Sequence, residues 1–310
     1  MRAPPVVWDA SYEIDLGPHV FVTAKYRLTR ERLLAKGTLG EADLVAPLPA
    51  TREQLALVHT AEYLRKIDED DFTFAERMRL EIPFSEAGRD AMVLCCGGTL
   101  LAGRLALEHG RAGHLGGGFH HAYAGHGEGF CLLNDVAVAA RALVHEGAVE
   151  RVAIVDLDVH HGNGTASIFA DDPAVFTFSM HQEHNYPAHK PPSDLDIGLE
   201  DGVREEEYLG LLEPALEVVL GGRTTTGASE RAAPDLVLYL AGADPYADDQ
   251  LGGLRLTLDG LRRRDRMVFE ATRSRGVPVA VVLAGGYAHR LDDTVAIHAA
   301  TIEELVAAGA

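Results

Sequence analysis

The stretch Arg151-Val-Ala-Ile-Val-Asp-Leu-Asp-Val-His-His-Gly-Asn-Gly-Thr165 decides the fold. It opens as a β-branched apolar run, which is how a strand buried on both faces of a parallel sheet reads. Asp156, Asp158 and His160 then take every second position, with Val155, Leu157 and Val159 between them. Side chains alternate along an extended chain, so the polar groups share one side and the apolar groups the other. Three ionisable groups at the end of a core strand are costly unless something pairs with them, and a divalent metal is the simplest such partner. A merely solvated strand end would not carry the apolar alternation through the polar positions. Gly162-Asn163-Gly164 then turns the chain away.

Outward from this stretch, strands are expected near residues 6–8 and at 174–179, 235–240 and 278–283. Helices are expected at 25–36, 52–59, 61–67, 86–109, from Asn134 or Asp135 to 146, at 205–220 and 258–275, and from 293 onward. Thr51 with Gln54 forms a capping box for the second of these. Gly97-Gly98 marks a break or a close approach within 86–109. Residues 181–203 read as a long loop rich in Pro, His and Asp, and 221–233 as a surface loop without a function. Strands alternating with helices imply right-handed crossovers, hence an α/β domain with a mostly parallel sheet covered on both faces. No internal boundary appears, so residues 1–310 are read as one domain. Sites in such sheets lie beyond the carboxyl ends of the strands. The strand at 151–155 ends in Asp156-x-Asp-x-His160, that at 235–240 in Gly242-Ala-Asp244, and that at 278–283 in Gly285-Gly-Tyr287. These three ends are expected to meet.

The composition narrows the function classes. The chain has 310 residues, 47% hydrophobic and 24% charged, with a net charge of -19. The apolar fraction argues against disorder, and the acidic balance disfavours nucleic-acid binding; it serves solubility first and would also draw a cationic substrate. Cys95, Cys96 and Cys131 are too few for a disulfide framework and match no thiolate zinc spacing. With no basic-then-apolar leader, and no apolar run near the ~20 residues of a membrane span, a reducing cytoplasm is the expected location.

Asp158, His160 and Asp244 supply one imidazole and two carboxylates. Catalytic zinc takes three such ligands and leaves a position open; iron(II) would fit the same donors. Asp156 is placed to orient an imidazole. His120-His121 follows Gly116-Gly-Gly-Phe119, a turn able to present both rings, as a general base and its electrostatic partner. The Tyr287 hydroxyl, after Gly285-Gly286, is placed to donate to a developing oxyanion, worth ~3 kcal/mol. The reaction class that follows is metal-assisted amide hydrolysis.

At this point the motifs resemble a known family. Gly116-Gly-Gly-Phe-His-His-Ala122, Gly129-Phe-Cys-Leu-Leu-Asn-Asp135, Val155-Asp-Leu-Asp-Val-His-His-Gly-Asn-Gly-Thr165, Ala241-Gly-Ala-Asp244 and Leu283-Ala-Gly-Gly-Tyr287 occur in the order found in the zinc-dependent histone deacetylase family. Leu16-Gly-Pro-His-Val-Phe21 with Lys25-Tyr26, and the short length, look like bacterial, class IV-like members of the acetoin-utilisation type. The resemblance implies an arginase-like α/β fold and Asp158, His160 and Asp244 as zinc ligands. It implies His121 as general base oriented by Asn163, His120 as its partner oriented by Asp156, and Tyr287 as carbonyl polariser. Many members carry Asp where this chain has Asn163, and a neutral partner raises the basicity of His121 less. A potassium ion is implied at Asp156, Asp158, His160, Ser179 and Met180. Gly129, Phe130, Leu251 and Tyr186 would line the acyl-lysine tunnel, with His19 near an inner acetate-exit cavity.

The function implied is hydrolysis of acetyl or longer fatty-acyl groups from lysine side chains by metal-activated water. The alternative is an acetylpolyamine or other small N-acyl amine hydrolase, which an occluding loop at 181–203 or an acidic pair at the tunnel mouth would favour. A two-manganese ureohydrolase would need further bridging carboxylates. An inactive metal-binding interaction module would have no use for His120, His121 and Tyr287.

Overall fold

The computed structural model describes residues 3–221 and 233–309. Among the described residues eight strands form: β1 (Val6–Val7), β2 (Leu44–Val45), β3 (Arg111–His114), β4 (Val152–Asp156), β5 (Val175–Gln182), β6 (Leu195–Leu199), β7 (Leu236–Leu240) and β8 (Val279–Val282). All pair in parallel, in the order β2-β1-β3-β8-β7-β4-β5-β6. Every residue of β4, β5, β7 and β8 is buried, which is why β4, β7 and β8 read as near-continuous apolar runs, whereas β5 also carries Thr177, Ser179, His181 and Gln182.

The helices are α1 (Ala24–Ala35), α2 (Arg52–Ala56), α3 (Ala61–Glu69), α4 (Phe74–Leu80), α5 (Glu86–His109), α6 (Asp135–His145), α7 (Asn163–Phe169), α8 (Glu205–Gly221), α9 (Leu258–Arg275) and α10 (Leu291–Ala307). They cover both faces, and the alternation along each central strand sorts its side chains between two cores. Val152 and Ile154 of β4, Leu236 and Leu238 of β7 and Ala280 of β8 face the core shared with α5 and α6. Ala153, Val155, Val237, Tyr239 and Val281 face the core shared with α8, α9 and α10. This is the α/β architecture expected. α5 is long and apolar enough to cross a membrane by length and composition, yet it packs along α6, β3 and β8.

Several expectations need correction. β4 stops at Asp156, so Asp158 and His160 follow the strand rather than lie in it. The carboxylates replace the lost ladder bonds: Asp156 Oδ1 accepts from the Asp158 amide at 3.1 Å and Asp158 Oδ1 from the His160 amide at 3.0 Å. The 181–203 stretch is not all loop, because it holds the edge strand β6, whose Leu195, Ile197 and Leu199 alternate with Asp196 and Gly198. β3 lacks β-branched residues and is held by its neighbours β1 and β8. α4 was missed although Thr73 and Glu76 form a capping box ahead of it. Of the surface loop read at 221–233, residues 222–232 lie outside the described residues.

α5 runs unbroken through Gly97-Gly98, so the close-approach reading holds. A Cβ on Gly97 would overlap the Leu48 carbonyl oxygen, and one on Gly98 the Tyr12 hydroxyl and the His114 ring. Gly97→Ala therefore sets a helix-propensity gain of at most about 1 kcal/mol against overpacking onto backbone, which costs about 1–3 kcal/mol. The variant is expected to lower the denaturant midpoint. An unchanged or higher midpoint would show that the 48–50 segment yields freely.

Candidate active site

Because β8, β7 and β4 are neighbours, their carboxyl ends bring residues 284–287, 241–244 and 156–161 together, as the sequence implied. His160 Nδ1 lies 3.0 Å from Asp158 Oδ1 and 3.5 Å from Asp244 Oδ2. Donors about 2.1 Å from a tetrahedral ion sit roughly 3.4 Å apart, so this spacing suits one divalent cation. All three side chains are buried, and Asp244 Oδ2 has no hydrogen-bond partner. Asp244 Oδ1 accepts from the Val159 amide at 3.0 Å and Asp158 Oδ2 from the Gly285 amide at 2.8 Å, which aims the free lone pairs inward. A Cβ on Gly285 would overlap both carboxylates. Burial and the Asp158 charge push the Asp244 carboxyl up to about 7. His160 is drawn down by burial but pushed further up by Asp158 and Asp244, to about 10. An orphaned buried oxygen, and a carboxyl held off ionisation by its neighbour, are what a site deficient in positive charge looks like.

The two ligand segments are clamped from behind. The fully buried Arg264 of α9 donates from one NH group to the Gly242 carbonyl at 2.6 Å and the Leu157 carbonyl at 3.3 Å. Its charge is balanced by Asp265, which also accepts from the Tyr239 and Thr301 hydroxyls at 2.5 and 2.6 Å.

The histidine pair is presented by the 116–119 turn, held by Asp135. That carboxylate accepts from the amides of Gly118 and Phe119 at 3.0 and 2.7 Å. Asn134, not Asp135, caps α6. Gly118 has φ +86, and a Cβ there would overlap Ala284, so only glycine lets the turn reach β8. His120 Nδ1 lies 2.7 Å from Asp156 Oδ2, His120 Nε2 lies 3.1 Å from His121 Nε2, and His121 Nδ1 lies 2.7 Å from Asn163 Oδ1. Burial pulls both imidazoles down, but Asp156 and Asp158 more than offset it at His120, which is pushed up to about 9. His121 has no such carboxylate partner, and burial together with His120 and His160 holds it well below the ordinary value. Environments that push two neighbours apart separate a charged group from a neutral base.

A cavity of about 270 Å3 opens above these groups, lined by Glu81, His121, Gly129, Phe130, His160, Asn185, Tyr186, Leu251 and Tyr287. All four tunnel residues expected from sequence are therefore on one cavity. Asp249 ties two of its walls, accepting from the amides of Tyr287 at 2.7 Å and Leu251 at 2.8 Å. Burial and the Asp158 charge push the Tyr287 phenol up, so it stays protonated as a donor. A smaller inner cavity of about 20 Å3 is lined by Phe21, Tyr26, Gly118 and Ala284 among others, and His19 is not on it. His19 instead packs against Phe130 at 4.9 Å between ring centroids, with Nε2 2.9 Å from the Glu81 carbonyl oxygen. Lys25 is fully buried nearby, and its ammonium donates to the Ala284 carbonyl at 2.9 Å and lies 5.5 Å from the Tyr287 ring centre. Burial lowers its pKa to about 8.

Ser179 of β5 pairs in register with Asp156, and Met180 follows it, both buried. A second cluster, His161, His181 and Asp196, has donor atoms within 4.8 Å of one another. His161 Nε2 lies 3.3 Å from Asp196 Oδ1 and His181 Nδ1 lies 3.0 Å from Ser179 Oγ, while neither ring nitrogen of the buried His161 has a hydrogen-bond partner. Sequence reasoning missed Lys25, Glu81, Glu128, Asp249 and Arg264. For Arg264 the signal was its helical spacing from the buried Leu261 and Val268, which places a charge on an apolar face.

Residues 19–302 match the histone deacetylase domain. Histone deacetylase 2 of Arabidopsis thaliana is 31% identical over 303 residues, spanning 91% of this chain and 74% of that protein. The acetoin utilization protein AcuC of Staphylococcus aureus is 31% identical over 265 residues, 78% of this chain and 66% of that one. An uncharacterised protein of Picosynechococcus is 42% identical over 295 residues, 95% of each chain. The crystal structure of the HDA15 HD domain superimposes with a TM-score of 0.76 at 25% identity, covering 98% of this chain and 89% of that one. Fold and relatives define a hydrolase of the deacetylase type, on the arginase-like deacetylase fold. The chain belongs to the histone deacetylase family.

Asp156→Asn isolates the charge that sets His120. The raised folded value means that the His120–Asp156 pair stabilises the fold fully below about pH 6.5, and that this contribution fades as pH rises through about 9. In the variant, burial dominates and the His120 midpoint should fall by more than a unit in a proton NMR titration. A midpoint still near 9 would assign the shift to Asp158 instead.

Proposed function

We propose that this protein is a zinc-dependent N-acyl-lysine deacylase that removes acetyl or longer fatty-acyl groups. The observation that carries the reading is the unpartnered Asp244 Oδ2, set with Asp158 against His160, which itself lines an apolar-walled cavity beside two oppositely poised histidines. Asp158, His160 and Asp244 would hold the zinc, and iron(II) suits the same donors. When bound, the metal supplies a Lewis acid and an activated water.

The chain's own groups then divide the work. Phe130, Tyr186, Leu251 and the Gly129 backbone enclose the hydrocarbon stem of the acylated side chain and exclude water. The Tyr287 hydroxyl donates to the acyl carbonyl oxygen as negative charge develops there. His121 Nε2 takes the proton of the attacking water and returns it to the departing amine nitrogen, so the C–N bond breaks to a carboxylic acid and an amine, and the acid proton then passes to the amine to leave a carboxylate and an ammonium. His120, held charged by Asp156, stabilises the negative charge without giving up its proton. A potassium ion at Asp156, Asp158, His160, Ser179 and Met180 would brace this floor; the pairing of Ser179 beside Asp156 supports that reading.

The small-molecule reading, a hydrolase of acetylpolyamines, has one observation in its favour. Glu81 presents an exposed carboxylate on the cavity lining, where a second ammonium of the substrate would sit.

Zinc-loaded protein should cleave acetyl- or myristoyl-lysine peptides in a hydroxamate-sensitive manner. Cleavage of acetylated polyamines alone would overturn the lysine assignment in favour of the small-molecule one. Tyr287→Phe is expected to lower kcat about 10²–10³-fold with zinc content unchanged, and an unaltered kcat would remove Tyr287 from the mechanism. Asp244→Ala should lose zinc in metal analysis, and a fully loaded variant would refute the ligand set.

A further inference from the structure

We infer that Glu128 is a positioning residue for His121: acting through the side-chain amide of Asn163, it sets which ring nitrogen of His121 carries the proton. The catalytic consequence rests on the proposed role of His121 as proton acceptor; the structural claim does not.

The amide of Asn163 bridges His121 and Glu128, with the Tyr123 hydroxyl beside it. Its Oδ1 lies 2.7 Å from His121 Nδ1 and its Nδ2 lies 2.7 Å from Glu128 Oε1. The oxygen end of an amide only accepts and the nitrogen end only donates. An ionised carboxylate offers no donor, so the NH2 end must face Glu128. The oxygen end then faces His121, whose Nδ1 must carry the hydrogen. A neutral imidazole has one N–H, so Nε2 is left with its lone pair, on the side where His120 Nε2 lies 3.1 Å away. Reversing the amide would bring an N–H against Nδ1, demand a lone pair there and move the proton to Nε2. His121 would then have nothing with which to accept a proton from water.

A carboxylate at position 163 would hold the Nδ1–H tautomer unaided, because it accepts from either oxygen. An asparagine is two-faced, and the orientation has to come from a further group. Glu128 meets the requirement. Its side chain is mostly buried, and its Oε2 lies 3.4 Å from His126 Nε2. Burial raises its pKa, but hydrogen bonds from His126, Asn163 and Tyr186 outweigh that and keep it below the ordinary range. Glu128 directly precedes Gly129 and Phe130, and its backbone pairs with Cys131 across the same tight turn. The negative charge is thus set one hydrogen bond further from His121, on the loop that builds the tunnel wall.

The test pairs a substrate-free readout with turnover. Long-range proton–nitrogen NMR spectra of histidine-labelled protein report the His121 tautomer directly. Wild type should show Nδ1–H. Glu128→Ala should give a mixture, and Glu128→Lys, which presents only donors to Asn163, should shift His121 to Nε2–H. On whichever acyl substrate the wild type cleaves, kcat should fall at least tenfold in both variants with KM little changed. Adding Asn163→Asp to Glu128→Ala should restore the Nδ1–H tautomer and most of kcat. Asn163→Asp alone should be worse than the double variant, since it sets two carboxylates against each other. An unchanged tautomer in Glu128→Lys overturns the proposal, as does a loss of kcat that Asn163→Asp does not rescue. If the wild type cleaves no acyl substrate, the tautomer series still decides this inference, and it is the reading of the site that fails.

Discussion

The structure depends on keeping two carboxylates, Asp158 and Asp244, buried together at the ends of β4 and β7. Their repulsion would be ruinous in an apolar core, where an uncompensated buried charge costs several kcal/mol. The surroundings answer it with cations and donors from several elements. His160 lies between the carboxylates, His120 approaches from the 116–122 turn, and Lys25 reaches in from α1. Arg264 lies beneath, contributing through the carbonyls it holds rather than by touching either acid. Backbone amides of Val159 and Gly285 take up two of the lone pairs. Only the side toward the cavity is left short of positive charge.

Close backbone approach is the second constraint, and it explains where side chains are missing. Gly242 and Gly285 leave room beside the carboxylates, and Gly118 lets the histidine turn lie against Ala284. Each of the three strand ends that meet at the site carries or faces a glycine of this kind. The floor is therefore made of main chain as much as of side chains, and its shape follows from the register of β4, β7 and β8.

What was legible in the sequence was local. The alternation through Asp156, Asp158 and His160, the Gly116–Phe119 turn before His120, and the glycines before Asp244 and Tyr287 each announce their chemistry within a few residues. β7 and β8 read clearly because burial on both faces leaves them apolar almost throughout. The rest depended on partners distant in sequence. Lys25 meets Ala284 and Arg264 meets Leu157 across the fold, so the acceptor of each cation cannot be seen from the helix that carries it. His19 and Phe21 are two residues apart, and nothing in the sequence says which reaches the inner cavity. β6 alternates as a strand should, but Asp196 and the proline-rich approach disguised it. Glu128 was hidden for a different reason: its partner Asn163 was read as a substitute for an acid, and the acid itself stood 35 residues earlier.

The bond from Lys25 to Ala284 joins positions 259 residues apart. On the ribosome the segment carrying Lys25 emerges on the order of tens of seconds before its acceptor, at about 5–20 residues per second. Until β8 and its following turn arrive, the Lys25 side chain lacks this acceptor, and Asp158 and Asp244 face each other without it. Closure of this bond is thus a late event that coincides with completion of the floor, and a nascent chain stalled short of β8 would leave the site half-built.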